Sequence, residues 1–294
     1  MPQRIHDGFL DCAIYIYPTE SAARIGEQAG GSGFIIAYPL NPLPWREIYL
    51  VTNQHVIAKC PQDVFVRFNT TLGKTDIKPI AKHSWFPHPH GDDVAICPYG
   101  QSMDEYSYSY VDFEQFMTPS RQEAEDIGIG DEVFMVGRFI NHEGKQQNHP
   151  ALRYGHIAMM TGEPIKDVRT GIEQESYVIE CRSMGGYSGS PVFVTTMALH
   201  MARARRETTA RTLPRGPWLF GINWCHIHHR MPINVASENT FVLTEPEIVK
   251  PGCEYTLANT GMAGVVPIGK LIGLLESDEV KEQRRESEKK LPKS

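Results

Sequence analysis

Short apolar segments alternate along this chain with breaks made of glycine, proline and asparagine. The clearest segments are residues 34–36, 48–52, 64–68, 94–97, 133–136, 177–180 and 218–222. Short strand-like segments with turn residues between them are typical of all-β proteins. The pattern therefore predicts an all-β fold, either a barrel or a sandwich.

A glycine-rich turn at residues 185–191 is the most informative candidate for chemistry. It reads Gly-Gly-Tyr-Ser-Gly-Ser-Pro and leads into an apolar run. Because glycine tolerates close backbone approach and unusual dihedral angles, such a turn can expose Ser188. The N–H groups of Gly186 and Ser188 can then point together at a developing oxyanion. The turn predicts a nucleophilic serine, provided that the chain also supplies a base and an acid.

Two further segments supply those groups. His55 lies at the end of an apolar run that starts at residue 50, and Asp93 stands at the head of the run 94–96. An activated serine needs an imidazole as its base, and the imidazole needs a carboxylate that fixes its tautomer. The order His55, Asp93, Ser188 therefore predicts a catalytic triad whose members lie at the edges of strands.

Six segments in this order resemble a trypsin/chymotrypsin-fold serine peptidase, nearest to its bacterial high-temperature-requirement-like branch. They are residues 31–36, 52–56, 93–96, 130–137, 154–157 and 220–223. The first three resemble the opening strand, the histidine motif and the aspartate motif of that family, and the others resemble strands of its second barrel. The family's acid directly precedes the Val-Ala-Ile run. The resemblance therefore favours Asp93 over Asp92, which we expect to be a solvated turn residue.

The resemblance implies two six-stranded Greek-key β-barrels with the catalytic cleft between them. The 294 residues of the chain are enough for both barrels. We expect the first barrel at 8–118 and the second at 119–275, with the connection between them near 110–127. Residues 276–294 are mostly charged and are expected to form a helical or disordered tail. No room then remains for the PDZ peptide-binding domain that often follows such a protease.

The resemblance also bears on specificity and activation. Arg182 occupies the place of the base of the primary specificity pocket, where a cation would favour acidic substrate side chains; an outward-facing arginine is the alternative. Asn223 and Trp224 are further candidates for substrate binding. Tyr187 stands where secreted enzymes carry an acid that pairs with a cleaved N-terminus, and the usual activation site is missing. We therefore expect a site that forms on folding or on ligand binding, without activation by cleavage.

The resemblance implies a protein or peptide substrate, and composition gives no indication of nucleic acid or a membrane as a partner. The formal net charge is −6, so no general basic surface favours nucleic acid or anionic membranes. No stretch approaches the roughly 20 apolar residues of a membrane-spanning helix. The first residues lack the charged-then-apolar pattern of a signal peptide. We expect a cytoplasmic protein that uses no organic cofactor.

The six cysteines form no close pair, and in an intracellular chain we expect them to be reduced core residues. A bridge between Cys181 and Cys225 stays open, because the sequence alone cannot fix connectivity.

Two histidine clusters, at residues 88–90 and 225–229, raise the question of a zinc site. Strand alternation would send neighbouring side chains to opposite faces, so we expect no metal there. These histidines would instead line the cleft or titrate near neutral pH.

Two other functions stay open. An inactive or latent protease-fold binding module would carry the same three motifs without turnover. An α/β-hydrolase esterase requires Gly-x-Ser-x-Gly at its nucleophile, whereas residues 186–190 end in serine. The esterase order of serine, acid and histidine also disagrees with a histidine that comes first.

Overall fold

The structure is a computed structural model that describes residues 5–26, 30–100, 104–140, 144, 146–167, 171–181, 185–195, 216–232 and 255–291. Strands dominate these ranges, which confirms the predicted all-β class. The named strands pair antiparallel except for one two-residue parallel pair. This arrangement excludes the mostly parallel sheet of an α/β-hydrolase.

The elements follow one another in two groups of strands with short helices around them. The strands of the N-terminal sheet are β1 (Ala13–Tyr17), β2 (Gly31–Pro39), β3 (Arg46–Thr52), β4 (Asp63–Asn69), β5 (Thr75–Ala81), β6 (Phe86–Pro87), β7 (Ala95–Pro98) and β8 (Val111–Asp112). Those of the second group are β9 (Glu132–Gly137), β10 (Ala151–Lys166), β11 (Glu173–Cys181), β12 (Pro191–Val194), β13 (Trp218–Pro232) and β14 (Tyr255–Pro267). The helices are α1 (Gly8–Asp11), α2 (Glu20–Ile25), α3 (Gln54–Ala58), α4 (Pro119–Ala124), α5 (Ile268–Leu275) and α6 (Asp278–Lys289). None of the described helices combines the length and the apolar character needed to cross a membrane.

The N-terminal sheet departs from the expected six-stranded barrel. Its strands follow the order β5-β4-β1-β2-β3-β7-β6, and β8 pairs with β2 beside this path, so the described sheet has eight strands. The path is open, since its end strands β5 and β6 do not pair with each other in the described sheet, and β6 has only two residues. One of them is Pro87, which lacks the N–H group that a continuing ladder needs.

The second group of strands closes into the expected barrel. The closed order is β10-β11-β14-β13-β12-β9, which confirms six strands for this unit. The hairpin of β13 and β14 pairs from Gly221 opposite Pro267 to Pro232 opposite Tyr255. The expected boundaries at 8–118, 119–275 and 276–294 stay a prediction.

A single buried apolar cluster joins the sheet to the barrel. Phe34 and Tyr49 of the sheet belong to the same cluster as Phe134 and Phe193 of the barrel. Phe9 of α1 meets the rings of Phe134 and Phe193 edge-on, with centroid distances of 5.8 and 5.0 Å. Aromatic side chains bury large apolar areas, and edge-to-face pairs add to that stabilisation. The two units are therefore packed against each other by a shared core.

The connection from β8 to β9 is attached to the barrel. The N–H of Met117 donates to the carbonyl of Leu219 at 2.9 Å. The guanidinium of Arg121 lies 4.2 Å from the ring centroid of Trp218, a cation–π distance. The chain therefore crosses between the units along the start of β13.

The charged tail forms a helix that docks on the N-terminal sheet. Arg284 of α6 is only 7 % exposed and donates to the Leu275 carbonyl at 2.6 Å. Its guanidinium lies 4.3 Å from the ring centroid of Tyr38. The Tyr49 hydroxyl donates to Gln283 Oε1 at 2.8 Å. Of the two expected forms of the tail, the helical one is confirmed, because buried polar contacts hold it in place.

The described cysteines are all buried and carry no disulfide: Cys12, Cys60, Cys97, Cys181 and Cys225. Burial raises the pKa of Cys181 to about 11 and that of Cys225 to about 12, so both thiols stay protonated near neutral pH. Because Cys181 and Cys225 are both free thiols, the Cys181–Cys225 bridge that the sequence left open does not form. Cys253 lies outside the described residues.

Replacing Arg284 with alanine should lower the free energy of unfolding by about 2–3 kcal/mol, because a charged hydrogen bond and a cation–π contact are lost together. Urea denaturation measures the change. Arg285→Ala is the matched control, since the Arg285 side chain is 65 % exposed, and it should change the value by less than about 0.5 kcal/mol. Equal effects of the two substitutions would show that α6 does not contribute to stability through Arg284.

Candidate active site

His55 and Asp93 come together because their strands are neighbours. Thr52 at the end of β3 pairs with Ala95 at the start of β7. His55 lies in α3, which follows β3, and Asp93 directly precedes β7. The pairing of β3 with β7 thus places His55 and Asp93, which the sequence had predicted as a pair, at the same edge of the N-terminal sheet.

Both carboxylate oxygens of Asp93 contact His55. Oδ2 lies 2.6 Å from Nδ1 of the imidazole, and Oδ1 accepts from the backbone N–H of His55 at 2.8 Å. An ionised carboxylate only accepts hydrogen bonds, so the imidazole proton resides on Nδ1. The lone pair of Nε2 is then available to act as a base. Asn53 Nδ2 donates to the Asp93 carbonyl at 2.8 Å and so fixes the backbone of the acid.

The serine turn connects the barrel strands β11 and β12. Gly186 and Gly189 have φ angles of 97° and 88°, in the region that favours glycine. The N–H of Gly189 donates to the Asn223 carbonyl, and the N–H of Ser190 donates to the Tyr187 carbonyl, at 2.8 and 2.9 Å. These bonds determine the shape of the turn around Ser188.

The Ser188 hydroxyl donates to the carbonyl of Trp224 at 3.3 Å. Within the described part of the chain, no hydrogen bond joins this hydroxyl to His55. The backbone N–H groups of Gly186 and Ser188 donate to no acceptor among the described residues. The oxyanion role of these two N–H groups stays a prediction.

Ser32, which the sequence did not identify as a site residue, fastens the serine turn to the N-terminal sheet. Its N–H donates to the Ser188 carbonyl at 2.8 Å, and its Oγ donates to the Gly186 carbonyl at 2.7 Å. Thr52 Oγ1 in turn donates to the Ser32 carbonyl at 2.7 Å. A signal was present, because small residues at 31–33 at the start of a strand indicate close backbone approach.

Tyr187 anchors the turn inside the barrel. It is fully buried, and its hydroxyl lies 3.3 Å from Arg153 Nε and 3.4 Å from the Ala151 carbonyl. Burial raises its pKa, so the phenol stays neutral at physiological pH. A neutral buried side chain thus occupies the position next to Ser188.

The predicted substrate-binding residues have different surroundings. Asn223 is fully buried, and its amide donates to the Tyr187 carbonyl at 2.9 Å. The Trp224 indole is buried and donates to Ser176 Oγ at 2.8 Å. Both side chains are buried and hydrogen-bonded inside the protein, and the Trp224 carbonyl accepts from the Ser188 hydroxyl. Arg182 lies outside the described residues.

Asp92 is not the solvated turn residue that the sequence led us to expect. Its side chain is 12 % exposed and lies 3.0 Å from His88 Nδ1. Lys270 Nζ lies 3.4 Å from its other oxygen, which also accepts from Gln174 Nε2 at 2.8 Å. The expectation was wrong because Gln174 and Lys270 reach this carboxylate from parts of the chain that are distant in sequence. Gln174 carried no signal in its sequence neighbourhood.

The histidine clusters form no metal site in the described ranges, since no group of three or more His, Cys, Asp or Glu side chains there could hold an ion. His88 is buried against Asp92, whereas His90 is exposed. Burial lowers the pKa of His88 and outweighs the nearby carboxylate of Asp92, which raises it. His226 and His228 lie on β13 with ring centroids 6.2 Å apart.

Comparison with known proteins identifies a family model and two similar folds. Residues 31–199, more than half of the chain, match the family model of the trypsin-like peptidase domain. The apo MamO protease domain from Magnetospirillum magneticum is 15 % identical, with a TM-score of 0.49 and coverage of 92 % of this chain and 98 % of that one. The inactive form of the Rv3671c protease of M. tuberculosis is 14 % identical, with a TM-score of 0.44 and coverage of 91 % and 88 %. No curated protein matches the chain.

Gly137→Ala should lower the free energy of unfolding by about 1–3 kcal/mol, because a Cβ there overfills the space beneath the serine turn. That carbon would lie 2.0 Å from Ser190 Oγ and 2.8 Å from Ser32 Oγ. Urea denaturation measures the loss. Gly128→Ala is the control, since a Cβ there meets nothing within 4 Å. A Gly137 variant as stable as the control would contradict the close packing.

The lowered pKa of His88 makes stability depend on pH. The unfolded chain binds this proton more readily, so the free energy of unfolding should fall as the pH is lowered through and below about 6.5. One such proton contributes at most about 1.4 kcal/mol per pH unit. Urea midpoints between about pH 7 and 5 should fall less steeply for His88→Gln than for the wild type. The exposed His83→Gln control should keep the wild-type slope. A His88→Gln slope equal to the control would refute the assignment.

Proposed function

The chain belongs to the trypsin-like peptidase family, as its motifs led us to expect, and we propose that it is a serine endopeptidase acting through an acyl-enzyme intermediate. The observation that carries this proposal is the 2.6 Å contact between His55 Nδ1 and Asp93 Oδ2, beside a glycine turn that presents Ser188. The turn packs against the strand that leads into His55, since a Cβ on Gly189 would lie 2.3 Å from Thr52 Oγ1.

In the proposed reaction, Ser188 Oγ attacks the carbonyl carbon of a peptide bond. The hydroxyl proton moves to His55 Nε2 as the bond from Oγ to carbon forms. His55 then gives that proton to the leaving amine when the carbon–nitrogen bond breaks, which leaves an acyl-enzyme. A water molecule, deprotonated by the same nitrogen, hydrolyses the ester and restores the serine.

Asp93 is proposed to keep His55 in the reactive tautomer. The two hydrogen bonds from His55 to its carboxylate restrain both the ring and the backbone. The carboxylate also stabilises the imidazolium that forms during each proton transfer. Asn53 supports this role, because its amide donates to the Asp93 carbonyl.

The N–H groups of Gly186 and Ser188 are proposed to bind the oxyanion of the tetrahedral intermediate. Preorganised donors of this kind act most strongly where charge develops, and one donor is typically worth ~10²–10³ in turnover. The positive φ of Gly186 and the bonds of Ser32 to this turn support such preorganisation.

Before attack, the Ser188 hydroxyl has to leave the Trp224 carbonyl for His55. In this proposal the hydroxyl moves by rotation of the serine side chain, and such rotations take picoseconds to nanoseconds in exposed side chains. The same 3.3 Å contact favours the second candidate, a latent or inactive binding module of the same fold. The proposed substrate in the first case is a protein or peptide.

A fluorophosphonate probe decides between the two candidates. The wild type should be labelled, because an activated Ser188 attacks the phosphorus, and Ser188→Ala should abolish labelling. Asp93→Asn should lower kcat for a peptide substrate by about 10⁴, since the amide favours the wrong imidazole tautomer. Labelling is measured by gel fluorescence and cleavage by chromatography of the peptide products.

Ser190→Ala is the control, since Ser190 lies two residues further along the same turn, and it should retain labelling. A folded wild type that neither reacts with the probe nor cleaves peptides would refute the peptidase and support the binding module.

A further inference from the structure

The backbone of Asp93 is held from both units of the molecule. Its carbonyl accepts from Asn53 Nδ2, within the N-terminal sheet, at 2.8 Å. Its N–H donates to Gln174 Oε1, at the start of the barrel strand β11, at 2.7 Å. Gln174 is 3 % exposed. A buried side chain of the barrel therefore contacts the acid that lies on the other unit.

The amide of Gln174 satisfies one donor and two acceptors at once. Its oxygen accepts from the Asp93 N–H, which can only donate. Its nitrogen donates to Asp92 Oδ1 at 2.8 Å and to the Glu175 carbonyl at 3.0 Å, both of which accept. An amide supplies one acceptor and one donor in this arrangement, whereas a carboxylate supplies only acceptors. The site therefore specifies glutamine in one orientation.

Charged and titratable groups surround the Asp92 end of this contact. His88 Nδ1 lies 3.0 Å from Asp92 Oδ2, and Lys270 Nζ lies 3.4 Å from Oδ1. Lys270 also lies 2.8 Å from Glu175 Oε2. Lys270 thus places a positive charge close to Oδ1 of Asp92, and the His88 imidazole contacts Oδ2. Gln174 stands between this cluster and the Asp93 backbone.

We propose that Gln174 is a positioning residue that fixes Asp93 against the barrel carrying Ser188. The inference rests on the proposed peptidase function, in which Asp93 orients His55. β11 leads into the serine turn, so one strand holds the backbone of the acid at its start and precedes the nucleophile at its end. A small displacement of the acid would carry His55 with it, because two hydrogen bonds join them.

The test compares Gln174→Met, Gln174→Glu and the control Glu173→Gln. Methionine keeps the length and flexibility of the side chain but makes neither strong bond. We expect Gln174→Met to lower kcat for a peptide by about tenfold with KM unchanged, because misplacement costs rate while the buried side chain does not touch substrate. Glu173 is the adjacent, exposed residue of β11, and its substitution should leave kcat unchanged.

Gln174→Glu adds a readout that a purely structural role would not give. The introduced carboxyl group would face Asp92 Oδ1 at hydrogen-bond distance, and two carboxylates so close favour sharing a proton. The ratio of its kcat to that of the wild type should therefore rise as the pH is lowered, whereas the ratio for Gln174→Met should stay constant. Thermal melting verifies that each variant is folded at the assay temperature.

A second measurement does not depend on turnover. The His55 Nδ1 proton, bonded to Asp93, should give a low-field proton resonance in the wild type and in Glu173→Gln. This resonance should shift or broaden in Gln174→Met. An unchanged resonance together with an unchanged kcat would overturn the positioning role. A wild type without probe labelling, whose resonance still responds to Gln174→Met, would refute the peptidase and retain the role of Gln174.

Discussion

Two hydrogen bonds from Ser32 connect groups that no single unit of the fold could align. His55 and Asp93 lie on the N-terminal sheet, and Ser188 lies on the barrel. The shared apolar core keeps the two units in contact, but apolar packing is not directional and sets no fine register. Ser32 helps to set it, as does Gln174, because the Ser32 N–H and hydroxyl hold the carbonyls of Ser188 and Gly186. Each bond is worth only about 1 kcal/mol net, yet the Ser32 side chain is fully buried and its two hydrogen bonds are directional.

The same constraint explains the small residues on both sides of this contact. A Cβ on Gly31 would lie 2.9 Å from the Ser188 carbonyl oxygen, and a Cβ on Gly189 would lie 2.1 Å from the Ser32 carbonyl oxygen. The backbones of strand and turn therefore approach more closely than side chains allow. At both positions glycine allows two segments of the backbone to approach closely. At Gly189 the positive φ of 88° is a second reason why glycine is required.

Local motifs predicted the central residues of the candidate site, whereas the residues that support them lie far away along the chain and were not predicted. His55, Asp93 and Ser188 each stand in a short segment whose turn and strand residues are adjacent to them. Ser32 acts on a residue 154 positions away, and Gln174 acts on one 81 positions away, so neither partner could be read locally. The all-β class followed from segment lengths. The open N-terminal sheet could not, because closure depends on how the ends of distant strands meet.

The position of the Ser188 hydroxyl depends on one side-chain contact, whereas the shape of the turn depends on several backbone contacts. The turn is held by Ser32, by the Asn223 amide on the Tyr187 carbonyl and by the Gly189 N–H on the Asn223 carbonyl. Reshaping it would break several buried hydrogen bonds, each costly to leave unpaired. Moving the hydroxyl away from Trp224 breaks only the one bond at 3.3 Å. Contacts inside the folded chain thus hold the backbone of the turn, whereas a single side-chain hydrogen bond to the Trp224 carbonyl holds the Ser188 hydroxyl within the described residues.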